Sequence, residues 1–180
     1  MATSVVREAQ KPLRARYAAD PADATKQYLL KSEPRDPKDP FRAVVKSQLG
    51  AGAGATYEVV IDPKLGGPGG GPTPGDVFLA ALASCQEATL RMIADSMGIE
   101  LTAIDVEVSG EVDVRGALLL SKDVPAGFRS IACKTRIAVK PGTPPELTAK
   151  LGQLAEQCCV IMSTLRACPP VATSFSVDGG

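Results

Sequence analysis

Apolar residues keep two rhythms along this chain. From Leu101 to Val114 every second position is apolar in two runs, Ile104, Val106 and Val108, then Val112 and Val114. "FRSIACKTRIAVK" alternates in the same way through Ile131, Cys133, Thr135, Ile137 and Val139. A period of two puts one set of side chains on one face, so both stretches predict half-buried strands. Cys133 falls on the inward face, where it packs as core. Earlier, "KQYLLKSE" (26–33) and "FRAVVKSQL" (41–49) read as strands on either side of "PRDPKDP", whose prolines force a loop. "ATYEVVID" (55–62) completes three antiparallel strands, and "VATSFSVD" (171–178) predicts a last strand at the C-terminus.

The second rhythm is helical. Thr73 caps a helix with Pro74 in its first position and Asp76 in its first turn, and Gly98 stops it after Met97. Residues 77–84 are apolar or small on every side, which predicts burial, whereas "QEATLRMIADSMG" recovers polar positions and should emerge toward solvent. A second helix opens at Thr143–Pro144 with Glu146 three residues along, a capping box. Its stripe runs Leu147, Leu151, Leu154, Cys158, Ile161 and Leu165, at steps of four, three, four, three and four. The order βββ-α-ββ-α-β defines an α+β domain over residues 23–180, preceded by a polar arm or short helix over 1–22. The glycine-rich "PKLGGPGGGPTPGD" between strand and helix lacks the GK[ST] ending of a phosphate loop and reads as a connector.

Composition narrows the chemistry. With no histidine among 180 residues, Ser-His-Asp and Cys-His catalysis and histidine-ligated zinc are excluded within the chain. A net charge of zero, 4% aromatic residues and no Trp give no footprint for nucleic acid. The apolar runs are too short to predict a bilayer span. Without a recognisable secretory signal, a cytoplasmic location is expected, and five cysteines then read as free, catalytic or packing thiols rather than a disulfide framework. Cys168, like Cys133, is expected to pack as a small hydrophobe.

Each long helix carries a cysteine in its apolar part, in "TPGDVFLAALASC" (73–85) and "AEQCCVIMSTL" (155–165). These motifs, with "STLR" and "PPVATSFSV" after them, resemble the OsmC/Ohr family of osmotically inducible protein C and organic hydroperoxide resistance proteins. The first matches T/N-P-x-x-L-hydrophobic-x-A-hydrophobic-x-A-C. The second matches A-x-x-x-C-P-hydrophobic, with Cys159 at the cysteine position. The likeness spans about residues 21–178. It implies an intertwined homodimer whose antiparallel sheets wrap two long central helices, with active sites at the subunit interface. It also implies a thiol peroxidase pair, Cys85 and Cys159, that reduces organic hydroperoxides or hydrogen peroxide. A dithiol reductant, such as a lipoylated protein, would restore the pair, and no metal or other cofactor takes part.

In such a pair a thiolate attacks the peroxide, the resulting sulfenic acid condenses with the second thiol, and a dithiol reopens the disulfide by exchange. Burial opposes the thiolate unless a cation or hydrogen bonds support it. The family's arginine would be Arg42 or, alternatively, Arg35. Three departures bear on the activity. Gly75 stands where peroxidase members carry a glutamate, with Asp76 beside it as a stand-in or merely a first-turn residue. Val160 replaces the proline after the second cysteine, so the helix should run on; periodicity then favours Cys158 while the motif favours Cys159, about 100° apart on a helix. The long N-terminal region covers or reshapes the site. Glu87 becomes a candidate base only if the emerging half of its helix lines the pocket. The alternatives to a peroxidase are a non-catalytic dimer of this fold that binds a small hydrophobic ligand, and a thiol redox sensor.

Overall fold

The computed structural model describes residues 3–33 and 36–177. Its elements are α1 (Val5–Ala19), β1 (Leu30–Ser32), β2 (Arg42–Ser47), β3 (Thr56–Val60), α2 (Pro74–Met97), β4 (Leu101–Val112), α3 (Val114–Ala117), β5 (Phe128–Val139), α4 (Pro145–Cys158) and α5 (Val160–Arg166). The architecture is α+β with two antiparallel sheets, β1-β2-β3 and β4-β5.

The second sheet is a long hairpin in which Ile104 pairs with Ile137, Val106 with Thr135 and Val108 with Cys133. Its apolar face lies on α2, and α2 lies along α4. Leu90, Ala94, Ile99, Leu151 and Ala155 form the buried core, flanked by Ile93, Met97, Ile104, Val106 and Ile137. Gly110 admits the ring of Phe128, because a Cβ there would lie 2.6 Å from it. Phe128 in turn stacks on Phe78 of α2 with ring centroids 5.3 Å apart.

Thr73 and Asp76 start α2 with a complete capping box, the Thr73 N–H donating to Asp76 Oδ2 at 2.7 Å and the Asp76 N–H to Thr73 Oγ1 at 3.2 Å. Gly98 ends it in the left-handed conformation, φ 71°. At 24 residues, with mean hydropathy 1.3 over its most apolar window, α2 is long and apolar enough to cross a membrane by length and composition. Here its buried stripe, Leu82, Gln86, Leu90 and Ala94, faces protein.

Several expectations are corrected. The half of α2 expected to be buried all round, 77–84, keeps Phe78, Ala80 and Ser84 exposed, while the half expected to emerge holds the core residues Leu90 and Ala94. Packing against α4 and β4 buries the second half despite its polar positions. No strand forms over 171–177: the segment runs unpaired on the surface, with Phe175 93% exposed. Pro144, not Thr143, caps α4, and no capping box forms there, because Thr143 Oγ1 donates instead to the Lys140 carbonyl at 2.7 Å. Val114 leaves the strand pattern to open α3, since Asp113 accepts from the Arg115 N–H at 3.1 Å and caps that turn. The polar arm folds as α1. Its first turn is pinned to α2 by Asp95, which accepts from the Ser4 hydroxyl and from the Val6 N–H at 2.9 Å.

The first sheet differs from the second. Its registers pair Leu30 with Ser47, Ser32 with Val45 and Val45 with Tyr57. One face therefore carries Leu30, Ser32, Ala43, Val45, Ser47, Tyr57 and Val59, and the other Lys31, Arg42, Lys46, Thr56 and Glu58 together with the buried Val44 and the half-buried Val60. The sheet makes its main contacts within itself, and on the first face Val45 and Val59 are half-buried. Leu30 and Tyr57 remain exposed.

Candidate functional site

The second long helix does not run on through Val160. It breaks at Cys159, whose backbone is extended at φ −70°, ψ 108°, even without a proline. Side chains brace the break. Ser163 Oγ donates to the Gln157 carbonyl at 3.1 Å, satisfying an acceptor that the end of α4 leaves open. Arg166 on α5 pairs with Glu156 on α4 at 2.8 Å. Cys159 itself caps α5, its Sγ accepting from the Met162 N–H at 3.5 Å.

The break opens a fresh helix start, with unspent backbone N–H groups, directly opposite Cys85 on α2. Burial pushes the Cys85 thiol up, but the backbone of Ile161 and Val160, the Cys159 thiol and the Thr89 hydroxyl lie near enough to its sulfur to favour the charged form. These groups prevail and hold Cys85 below the ordinary thiol value. Cys159 is shifted the other way. Burial raises it, the Met162 N–H opposes, and the neighbouring Cys85 sulfur raises it further. The pair is polarised: Cys85 is the more acidic thiol and Cys159 the less acidic one.

Cys159 is 0% exposed and Cys85 half-buried, whereas Cys158 is exposed. The buried line on α4 runs Leu151, Ala155, Cys159, one residue round from the stripe that periodicity places through Cys158. The other candidates lie apart from the sulfurs. Asp76 spends its carboxylate on the Thr73 cap; the Thr73 backbone and hydroxyl hold it below the usual carboxylate range. Glu87 is bound by Arg91 at 2.6 Å one turn further along α2. Arg42 pairs with Asp39 at 3.2 Å at the start of the central strand β2, and no guanidinium is among the groups named above as acting on Cys85. Arg35 lies outside the described residues. Cys133 is half-buried, and burial raises its thiol above the ordinary value. Cys168 is exposed rather than core, because the segment expected to be a strand does not fold over it.

Sequence reasoning missed Thr89 and the amides of Val160 and Ile161. Thr89 was within reach, one helical turn after Cys85. The amides were not, since nothing in "CCVIM" marks a break.

Two hollows flank the helices. A groove of about 900 Å³ lies between α1 and α2, with an apolar floor of Met92, Ile93, Met97 and Leu154 and with Thr89 and Val160 at the sulfur end. Arg7, Lys11 and Arg14 of α1 form its outer wall. A cavity of about 510 Å³ lies under β5, lined by Leu82, Gln86, Cys133 and Met162 among others. Gln86 is 4% exposed, and its Oε1 has no hydrogen-bond partner among the described residues. Among the described residues no three Cys, Asp or Glu side chains converge as a metal site requires.

Known proteins of this shape are recognisable. The Mycoplasma pneumoniae OsmC-like protein shares 17% identity, with a TM-score of 0.60 over 79% of this chain and 89% of that one. The Legionella pneumophila organic hydroperoxide resistance protein OsmC shares 19%, with a TM-score of 0.55 over 79% and 90%. The organic hydroperoxide resistance protein of Elizabethkingia anophelis shares 19%, with a TM-score of 0.55 over 80% and 91%. At these identities the likeness is one of fold. No curated protein sequence matches. The sequence model of the OsmC-like protein family matches residues 67–174, which include both cysteine-bearing helices, and the chain belongs to that family.

Proposed function

We propose that the chain is a cysteine-based hydroperoxide reductase acting as a homodimer. The observation that carries this reading is the meeting of Cys85 on α2 with the buried Cys159 at the break between α4 and α5, where Cys85 is the more acidic of the two thiols. The Cys85 thiolate attacks one peroxide oxygen and the O–O bond breaks. The other oxygen leaves as an alcohol after taking a proton, and Cys85 becomes a sulfenic acid. Cys159, already in contact, displaces water from that sulfur and closes a disulfide. A dithiol then reopens it by two exchanges and is itself oxidised.

The apolar floor of the groove supports an alkyl rather than a strongly polar peroxide. Two of the structural neighbours are organic hydroperoxide resistance proteins, which agrees with the same chemistry. Support for two copies comes from the exposed Leu30 and Tyr57 of the first sheet and Phe78 at the start of α2, apolar surface that a second chain would cover.

Counting free thiols after adding cumene hydroperoxide tests the reading. Rapid loss of two thiols per chain, abolished in Cys85→Ser, is expected, followed by sustained consumption with dihydrolipoamide. Slow oxidation of all five would instead support a ligand-binding dimer without turnover. The cavity under β5, with the unpaired Gln86 amide at its wall, favours that second reading.

A further inference from the structure

The cavity under β5 is separate from the groove at the sulfur pair, and the two share no lining residue. At about 510 Å³ it falls within the size range of small-molecule sites. Much of its wall is apolar: Leu82 and Leu90 of α2, Ile131 and Ile137 of β5, Met162 and Leu165 of α5. Two residues of that wall have no account in the folding of the chain alone.

The first is Gln86. Its side chain is 4% exposed, and its Oε1 meets no donor among the described residues. An acceptor taken out of water without a donor opposes folding, whereas an apolar residue in its place would carry no such penalty. The second is Gly152, inside α4. Glycine is a poor residue for a helix interior. No neighbour demands its small size, since a Cβ there would meet nothing within 4 Å. Its effect is to leave the cavity wider.

Charge at the wall is already balanced. Glu156 and Arg166 pair with each other at 2.8 Å, and burial pushes the Cys133 thiol up, so it stays neutral. A charged guest would give up its water and find no uncommitted counter-ion. Water itself, which needs about two to four polar partners, is poorly served among leucines and isoleucines.

We propose that this cavity is a binding site for a small neutral alcohol or phenol, whose hydroxyl donates to Gln86 Oε1 and whose alkyl or aryl body lies against the apolar wall. The site stands whether or not the sulfurs turn over, and it names the ligand chemistry that the ligand-binding reading leaves open.

The test uses reduced full-length protein without peroxide, with 4-propylphenol as ligand and 4-propylanisole as its match lacking the donor. Calorimetry should show the phenol binding about tenfold more tightly than the ether. Gln86→Met, which keeps the chain length and removes the amide, should bind the two alike. Gly152→Leu should lose both, with thermal stability unchanged or raised because leucine is the better helix former. Bound 4-propylphenol should also slow alkylation of Cys133, which lines the cavity, and leave the exposed Cys168 unaffected. That measurement needs no variant. Equal affinity for phenol and ether, or phenol binding that survives Gly152→Leu without protecting Cys133, would overturn the site. So would no binding at all, the result expected if a second chain fills the space. Consumption of cumene hydroperoxide by a protein that binds no phenol would overturn this site and leave the peroxidase reading intact.

Discussion

The more apolar end of α2 is the more exposed one. At the C-terminal end Leu90 and Ala94 are buried against Leu151, Ala155 and the β4–β5 hairpin. At the N-terminal end Phe78 is 39% exposed, and its stacking on Phe128 covers only one side. A single chain closes its core at one end and leaves the other open, and its first sheet likewise leaves Leu30 and Tyr57 exposed. An apolar pattern thus states how much covering a helix needs, not which chain supplies it. The sulfur pair stands between these ends, on the last stretch that the chain covers by itself.

That contrast can be broken at its closed end first. Leu151→Ala should cost about 2–5 kcal/mol, because the site is fully enclosed and little can relax into the gap. Denaturant unfolding should show the loss at every protein concentration. On the first sheet, Tyr57→Asp places a charge at an exposed apolar position. It should turn a dimer into a monomer by light scattering, leave the helical circular dichroism in place, and thereby separate assembly from folding.

Smaller effects sharpen the picture around the helix ends. Thr73→Ala should cost about 1 kcal/mol of stability through the lost cap while leaving Cys85 alkylation unchanged. A fall in thiol reactivity there would mean that Asp76 serves the site after all. Val160→Pro suits the first position of α5 but removes one N–H near the Cys85 sulfur. Because Cys85 sits below its ordinary value, its alkylation should level off at lower pH than a free thiol's. The proline should move that plateau toward higher pH without loss of stability. Last, Arg115 holds Asp113 at about 2, below its ordinary 3.8. The stabilisation from this depressed carboxyl is present above 3.8 and is lost as the pH falls toward about 2. Asp113→Asn should flatten that acid limb in thermal melts.

Much of this was legible from residue order. Alternation located β4 and β5, the Thr73–Asp76 pair and Gly98 bounded α2, and paired cysteine motifs pointed to the family. What the sequence hid were features decided by partners in space. The stripe through Leu154 and Cys158 is a good helical pattern, yet packing against α2 turned the helix one residue, to Ala155 and Cys159. The break at Cys159 comes from Ser163, Glu156 and Arg166 acting across it, and no proline announces it. The alternation of Val171, Thr173, Phe175 and Val177 meets no neighbouring strand within the chain. Arg42 looked like the cation a thiolate needs, but backbone amides lie at the sulfur and Arg42 pairs with Asp39.

The central claim is that Cys85 and Cys159 act as one polarised pair. One equivalent of cumene hydroperoxide, followed at once by acid quench, alkylation and peptide mapping, tests it most directly. The account predicts that a peptide joining Cys85 to Cys159 appears first, before any change at Cys133 or Cys168. A stable sulfinic acid on Cys85 with Cys159 still free, or oxidation spread evenly over the five cysteines, would contradict it.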